Sequence, residues 1–219
     1  MKHFFILCMI CAVSIFRSHG QENSNYWAIK AGVNFANFTN SDYTSNCQTG
    51  FNVGASRAFL ISKQAPLYVQ GGLSFEMKGA RNSYLIEGIK IENTAKSYAV
   101  ELPILLNYNF KISKKSTIIP FVGVFYSFAV AGDLEEGGDS TDPYKKEEVL
   151  FEGEESTINT RLFSRSDFGI RVGADYKYTR YSIGIAYDAG LTNLYAKEFS
   201  DRNYEASTGS FSINLGYYF

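Results

Sequence analysis

The sequence predicts an all-β fold, an eight-stranded antiparallel up-and-down transmembrane β-barrel. Three observations predict it. Large apolar and small polar residues alternate along seven separate stretches, with an eighth apolar on both faces; alternation is the period of a strand with one apolar side. Short and long connections alternate between those stretches, as in a barrel with tight turns at one end and long loops at the other. The chain opens on an export-type segment and holds no later apolar run long enough for a membrane helix, which needs about 20 residues.

The elements follow in order. Lys2 precedes an apolar run from Phe4 to Phe16, broken by Ser14 and followed by Arg17, Ser18, His19 and Gly20. A basic start, a short apolar core and small residues near Gly20 predict a secretory signal peptide, residues 1–20, cleaved before Gln21. Cys8 and Cys11 lie inside the run without the small residues that precede a lipid-anchored cysteine. Residues 21–219 then form one outer-membrane barrel domain.

The first strand, residues 26–37, sets Trp27, Ile29, Ala31, Val33 and Phe35 against Lys30, Gly32 and Asn34. Residues 50–61 set Phe51, Val53, Ala55 and Phe59 against Asn52, Gly54 and Ser56. Residues 67–78 set Leu67, Val69, Leu73, Phe75 and Met77 against Tyr68, Gln70, Gly72, Ser74 and Glu76. Residues 97–110 set Tyr98, Val100, Leu102, Ile104, Leu106 and Tyr108 against Glu101, Asn107 and Asn109. Residues 117–130 are apolar on both faces, and Pro120 with Gly123 predicts a bulge there. Residues 166–178 set Phe168, Ile170, Val172, Ala174 and Tyr176 against Gly169, Arg171, Gly173, Asp175 and Lys177. Residues 181–191 set Tyr181, Ile183, Ile185, Tyr187 and Leu191 against Ser182, Gly184, Ala186, Asp188 and Gly190. The last strand sets Phe211, Ile213, Leu215, Tyr217 and Phe219 against Ser210, Ser212, Asn214, Gly216 and Tyr218.

Short turns are expected at 62–66, 111–116 and 179–180, and long polar loops at 38–49, 79–96, 131–165 and 192–208. An even strand number places both termini at the short-turn side, the periplasm. The terminal strand then closes the barrel on residues 26–37 and removes both sheet edges.

Face chemistry separates a membrane barrel from a secreted soluble barrel of lipocalin type binding an apolar ligand. A soluble exterior carries many charges. Here the non-apolar face is rich in Gly, Ser, Asn and Ala, which suits a narrow lumen, while the large residues suit a lipid-facing wall. Tyr26, Trp27, Tyr108, Phe110, Tyr176, Tyr178, Tyr181, Tyr217 and Phe219 cluster at strand ends on the turn side, as an interfacial girdle does.

Composition excludes much chemistry. Both histidines, His3 and His19, lie in the predicted signal, so the mature chain holds none and cannot build a Ser-His relay. No nucleophile elbow, phosphate loop or Cys/His metal spacing occurs. Cys47 is the single mature cysteine, in an expected external loop. Losing Lys2 and Arg17 leaves 19 basic against 22 acidic residues, a net −3 that gives no footprint for nucleic acid. The expected cofactors are none.

Trp27 to Phe38 looks like the first strand of PorT-like small outer-membrane β-barrel proteins. Glu101-Leu102-Pro103-Ile104-Leu105-Leu106 and Pro120-Phe121-Val122-Gly123 resemble later strands of that family. The resemblance implies an eight-stranded outer-membrane barrel, outer-membrane lipid as its solvent, and recognition of Phe219 by the barrel-assembly machinery. A named member of the family is associated with protein secretion; that role does not carry over on these structural motifs.

The candidate site is a polar network in the lumen: Lys30, Glu76, Glu101, Arg171, Asp175 and Asp188. A tight turn at 179–180 sets Arg171 directly opposite Asp188, with Val172 opposite Tyr187 and Ala174 opposite Ile185. Such a network satisfies buried charge, which is costly unpaired; a gate or narrow solute path is the functional alternative. Residues 131–164 hold ten acidic residues against Lys145, Lys146 and Arg161, a net −7. Asp133 to Asp142 offers oxygen ligands but lacks EF-hand spacing, so a solvated, mobile external loop that meets a protein partner is expected rather than a calcium site. The predicted function is a structural or loop-mediated role, non-catalytic, in the outer membrane.

Overall fold

A computed structural model describes residues 25–39, 45–62, 64–86, 89–138, 145–148, 150–151, 161–193 and 207–219. The predicted signal peptide lies outside the described residues, as do five of the ten acidic positions of 131–164, Asp139 and Asp142 among them. The strands are β1 (Tyr26–Thr39), β2 (Ser45–Leu60), β3 (Leu67–Ile86), β4 (Ile89–Tyr108), β5 (Phe110–Lys111) and β6 (Ser116–Gly138). Then come β7 (Lys145–Glu148), β8 (Leu150–Phe151), β9 (Arg161–Phe163), β10 (Ser166–Tyr178), β11 (Tyr181–Gly190) and β12 (Ser207–Tyr218).

Eight of these close a barrel, in the order β1, β2, β3, β4, β6, β10, β11, β12. Every neighbouring pair is antiparallel, and β12 returns to β1 with Ala28 opposite Tyr218 and Thr39 opposite Ser207. The Phe219 N–H donates to the Trp27 carbonyl at 2.9 Å, which pins the last residue to the first strand.

The exterior is apolar. Ile29, Val33 and Phe35 of β1, Leu102, Ile104 and Leu106 of β4, and Ile183, Ile185 and Tyr187 of β11 are all exposed. The residues that alternate with them point inward and are mostly small or polar. A continuous apolar wall of this kind has a solvent only in lipid, which removes the soluble-barrel alternative.

Residues 117–130 take a definite orientation. Ile118, Val122, Val124, Tyr126, Phe128 and Val130 face out, while Ile119, Phe121, Phe125 and Ala129 are buried inside. Both faces read as apolar because β6 supplies the lumen's aromatic filling. The expected bulge is not at Pro120 or Gly123. The register of β4 against β6 shifts between Tyr98 and Ala99, opposite Ala131 and Ala129, so the extra residue is Val130. Pro120, on β6, falls instead opposite the passage from β4 to β5. Pairing with β6 stops at Asn107–Phe121 and resumes at Phe110–Ile118, and a proline lacking an N–H sits in that gap.

In two of the expected long loops most of the described residues are strand. The stretch 79–96 is the continuation of β3 and β4, paired from Gly79–Lys96 to Ile86–Ile89. β6 continues to Gly138 beside β4, and β7 adds to it. The segment 45–49 belongs to β2, so Cys47 is an exposed strand residue rather than a loop residue. β11 and β12, by contrast, have 10 and 12 residues against 20 for β3 and 23 for β6. About 9–11 residues cross a bilayer, so β3, β4, β6 and β7 raise a sheet beyond it on one side of the barrel.

Candidate lumen site

The lumen is filled in layers. At the short-turn mouth Tyr26 packs on Tyr68 and Tyr218, with ring centroids 5.2 Å and 5.4 Å apart. Tyr26 therefore turns inward and does not join the outer girdle, as strand alternation beside Trp27 requires. Tyr176, Tyr178, Tyr181 and Phe219 do face out. Ala28 and Ile119 are fully buried behind the tyrosine layer.

The second layer holds Lys30 of β1 paired with Asp175 of β10. The Tyr218 hydroxyl donates to the same carboxylate at 2.8 Å. Opposite, the Asn107 amide donates to Gln70, whose own amide donates to the Ser56 hydroxyl at 2.7 Å.

The third layer is the charged one. Arg171 donates from Nε to Asp188 Oδ1 at 2.6 Å and from Nη2 to Asp188 Oδ2 at 2.7 Å. Its Nη2 also lies 3.1 Å from Glu76 Oε1 and 2.7 Å from Glu101 Oε1. Lys78 Nζ stands where three carboxylates converge, 3.0 Å from Glu76, 2.9 Å from Glu101 and 3.4 Å from Asp188. The ring of Phe125 covers both cations, 4.8 Å from Lys78 Nζ and 5.8 Å from the Arg171 guanidinium, within cation–π range.

The six sequence-predicted residues thus fall into two groups. Glu76, Glu101, Arg171 and Asp188 form one cluster, and Lys30 with Asp175 forms a separate pair nearer the turns. Lys78 completes the larger cluster and was missed. Its signal was present, since it lies two residues beyond Glu76 and shares its face. Strand β3 runs on past that point, whereas its alternating pattern stops there.

Carboxylate oxygens of Glu76, Glu101 and Asp188 lie close enough together to hold a metal. Lys78 and Arg171 already supply positive charge and donors at that position, so the cluster is satisfied as an ion-pair network. Farther from the turns, Asp167 accepts from Thr192 and Thr208, each at 2.5 Å.

Between the charged layers lies a cavity of about 70 Å³, lined in part by Asn34, Asn52, Ser210, Ser212 and Asn214. Both amide atoms of Asn34 are buried without a partner in the chain. The space has room and polarity for several waters, each needing roughly 10–15 Å³.

An apolar wall, a polar filled lumen and closure without edges define an integral outer-membrane β-barrel protein. Residues 20–196 match the family described as "Outer membrane protein beta-barrel domain", and the chain belongs to that family. The fold is similar to a major outer membrane protein of Thermus thermophilus, with 14% identity and a TM-score of 0.50 over 90% of this chain and 100% of that one. The Ail attachment invasion locus protein of Yersinia pestis matches at 14% identity and TM-score 0.46, over 90% of this chain and 99% of that one. Neisserial surface protein A matches at 11% identity and TM-score 0.44, over 91% and 99%. No curated protein matches the sequence.

Proposed function

We propose that this protein is a closed, non-catalytic outer-membrane barrel that works through the sheet it raises outside the bilayer. The observation that carries the reading is the unequal strand length. β3, β4 and β6 keep pairing for about ten residues beyond the level the bilayer needs, and β7 joins them. A chain that needed only an anchor has no use for this extension. The lumen supports the same reading. Eight strands leave an interior just wide enough for side chains, and Lys78, Arg171 and Phe125 fill it.

On this reading residues 1–20 are a signal peptide and both termini face the periplasm. The tight turns at 61–66, 112–115 and 179–180 lie there too, and the barrel-assembly machinery inserts the chain. The PorT-like resemblance fits this reading. The segment 131–164 meets a protein partner.

Conductance of the purified protein in planar bilayers tests the closed lumen. No unitary steps are expected, and discrete channels would favour the narrow-channel alternative. Photo-crosslinking from positions in 131–164 on intact cells tests the outer surface. Failure of every position to capture a specific species sinks the interaction role.

A further inference from the structure

Arg57 sits on the lipid-facing wall. It lies on β2 between exposed Ala55 and Phe59, and its register partners are Trp27 on β1 and Gly71 on β3. Those neighbours face outward, so Arg57 does as well. Among the described residues within the apolar band it is the charged side chain on a face otherwise made of Ile, Val, Leu, Phe, Tyr, Trp and small residues.

The guanidinium is held in place. It stacks 5.3 Å from the Trp27 ring centroid and 4.9 Å from that of Phe59. Its Nε is buried without a hydrogen-bond partner in the chain. A permanent cation in an apolar wall is costly unless an anion meets it. Beside it Gly71 leaves a gap, because a Cβ built there meets nothing. Leu73 and Ile104, both exposed, flank that gap.

Arg57 also stands at the right depth. β2 ends three residues later, at Leu60. At about 3.3 Å per residue and a tilt near 40°, that is about 8 Å from the turn-side rim. An arginine there reaches the headgroup level along its own stem. Its fork matches the two unesterified oxygens of a phosphodiester.

We propose that Arg57, stacked between Trp27 and Phe59, binds the phosphate of a membrane phospholipid whose acyl chain lies in the gap over Gly71. The site would fix one lipid to the wall at the short-turn end of the barrel.

Trp27 is the one tryptophan in the sequence and reports directly on this site. The full-length protein in detergent micelles is titrated with dibrominated phosphatidylglycerol while Trp27 fluorescence is followed. Saturable quenching is expected. Arg57→Ala raises the half-quenching concentration about tenfold, the size of one lost charge-assisted contact. Arg57→Lys falls between, and Gly71→Leu weakens quenching by filling the gap. Dibrominated diacylglycerol, which lacks the phosphate, quenches with the weak midpoint of Arg57→Ala. Equal midpoints for wild type and Arg57→Ala, or for the two lipids, overturn the proposal. Full competition by millimolar inorganic phosphate overturns the lipid assignment. Removing a charge from the wall does not threaten folding, and heat-modifiable gel migration of each variant checks that.

Discussion

Arg171 and Asp188 face each other across β10 and β11 and share two parallel hydrogen bonds of 2.6 Å and 2.7 Å. Arg171 also neutralises Glu76 and Glu101. Arg171→Ala leaves Lys78 alone among three carboxylates. Breaking a buried pair from one side costs about 3–5 kcal/mol. The unfolding temperature in detergent should fall clearly; an unchanged midpoint refutes the role. Arg171→Ala with Asp188→Ala should cost less than the two single changes added together.

Lys78→Met keeps the length of the side chain and removes the charge. Arg171 then faces three carboxylates by itself. The loss should again be about 3 kcal/mol or more, and adding Glu76→Gln should recover part of it. A urea series on the refolded protein measures both. Equal stability of Lys78→Met and wild type would show that the convergence of carboxylates on Nζ carries no energy.

The turn between β10 and β11 stores strain. Thr179 has φ of 56°, a left-handed conformation that a β-branched residue adopts at a cost of about 1–2 kcal/mol. Its N–H is held by the Lys115 carbonyl at 2.8 Å, which ties two turns together. Thr179→Gly keeps that bond and relieves the strain. After the larger unfolded-state entropy of glycine, a net gain of about 0.5–1 kcal/mol remains. A lower unfolding midpoint would contradict the strain.

Gly173 lies under the ring of Phe121, and a Cβ there would collide with that ring and with the Ile185 carbonyl. Gly173→Val should block closure, leaving a protein that does not show heat-modifiable migration. Gly173→Val combined with Phe121→Ala should regain part of it. Normal migration of the single variant would mean the ring is not fixed there.

Much of the fold was legible because alternation is a property of single strands. One face of β1, β10, β11 and β12 is largely bulky and apolar, and Arg171 opposite Asp188 followed from counting back from a two-residue turn. The signal failed where one face did not differ from the other. On β6, Phe121 and Phe125 occupy the lumen as bulky apolar filling, so hydrophobicity could not orient the strand. It failed again beyond the bilayer. There β3 and β4 pair without an apolar side to mark them, and polar strand read as loop. The division of the six charges into two layers depends on how the strands stagger around the barrel, which no single strand encodes.

Pro103 lies within β4 in the membrane band. Pairing of β3 with β4 is continuous at Gly71–Ile104 and again at Ser74–Glu101, and lapses at Gly72 and Leu73 between them. On its other side, β4 loses its bond to β6 at Pro120. A closed barrel has no free edge, yet its hydrogen-bond ladder is interrupted on each flank of β4, beside Pro103 toward β3 and at its last residue, opposite Pro120, toward β6. Each interruption removes a ladder bond without opening an edge, because pairing resumes in the same register on the far side.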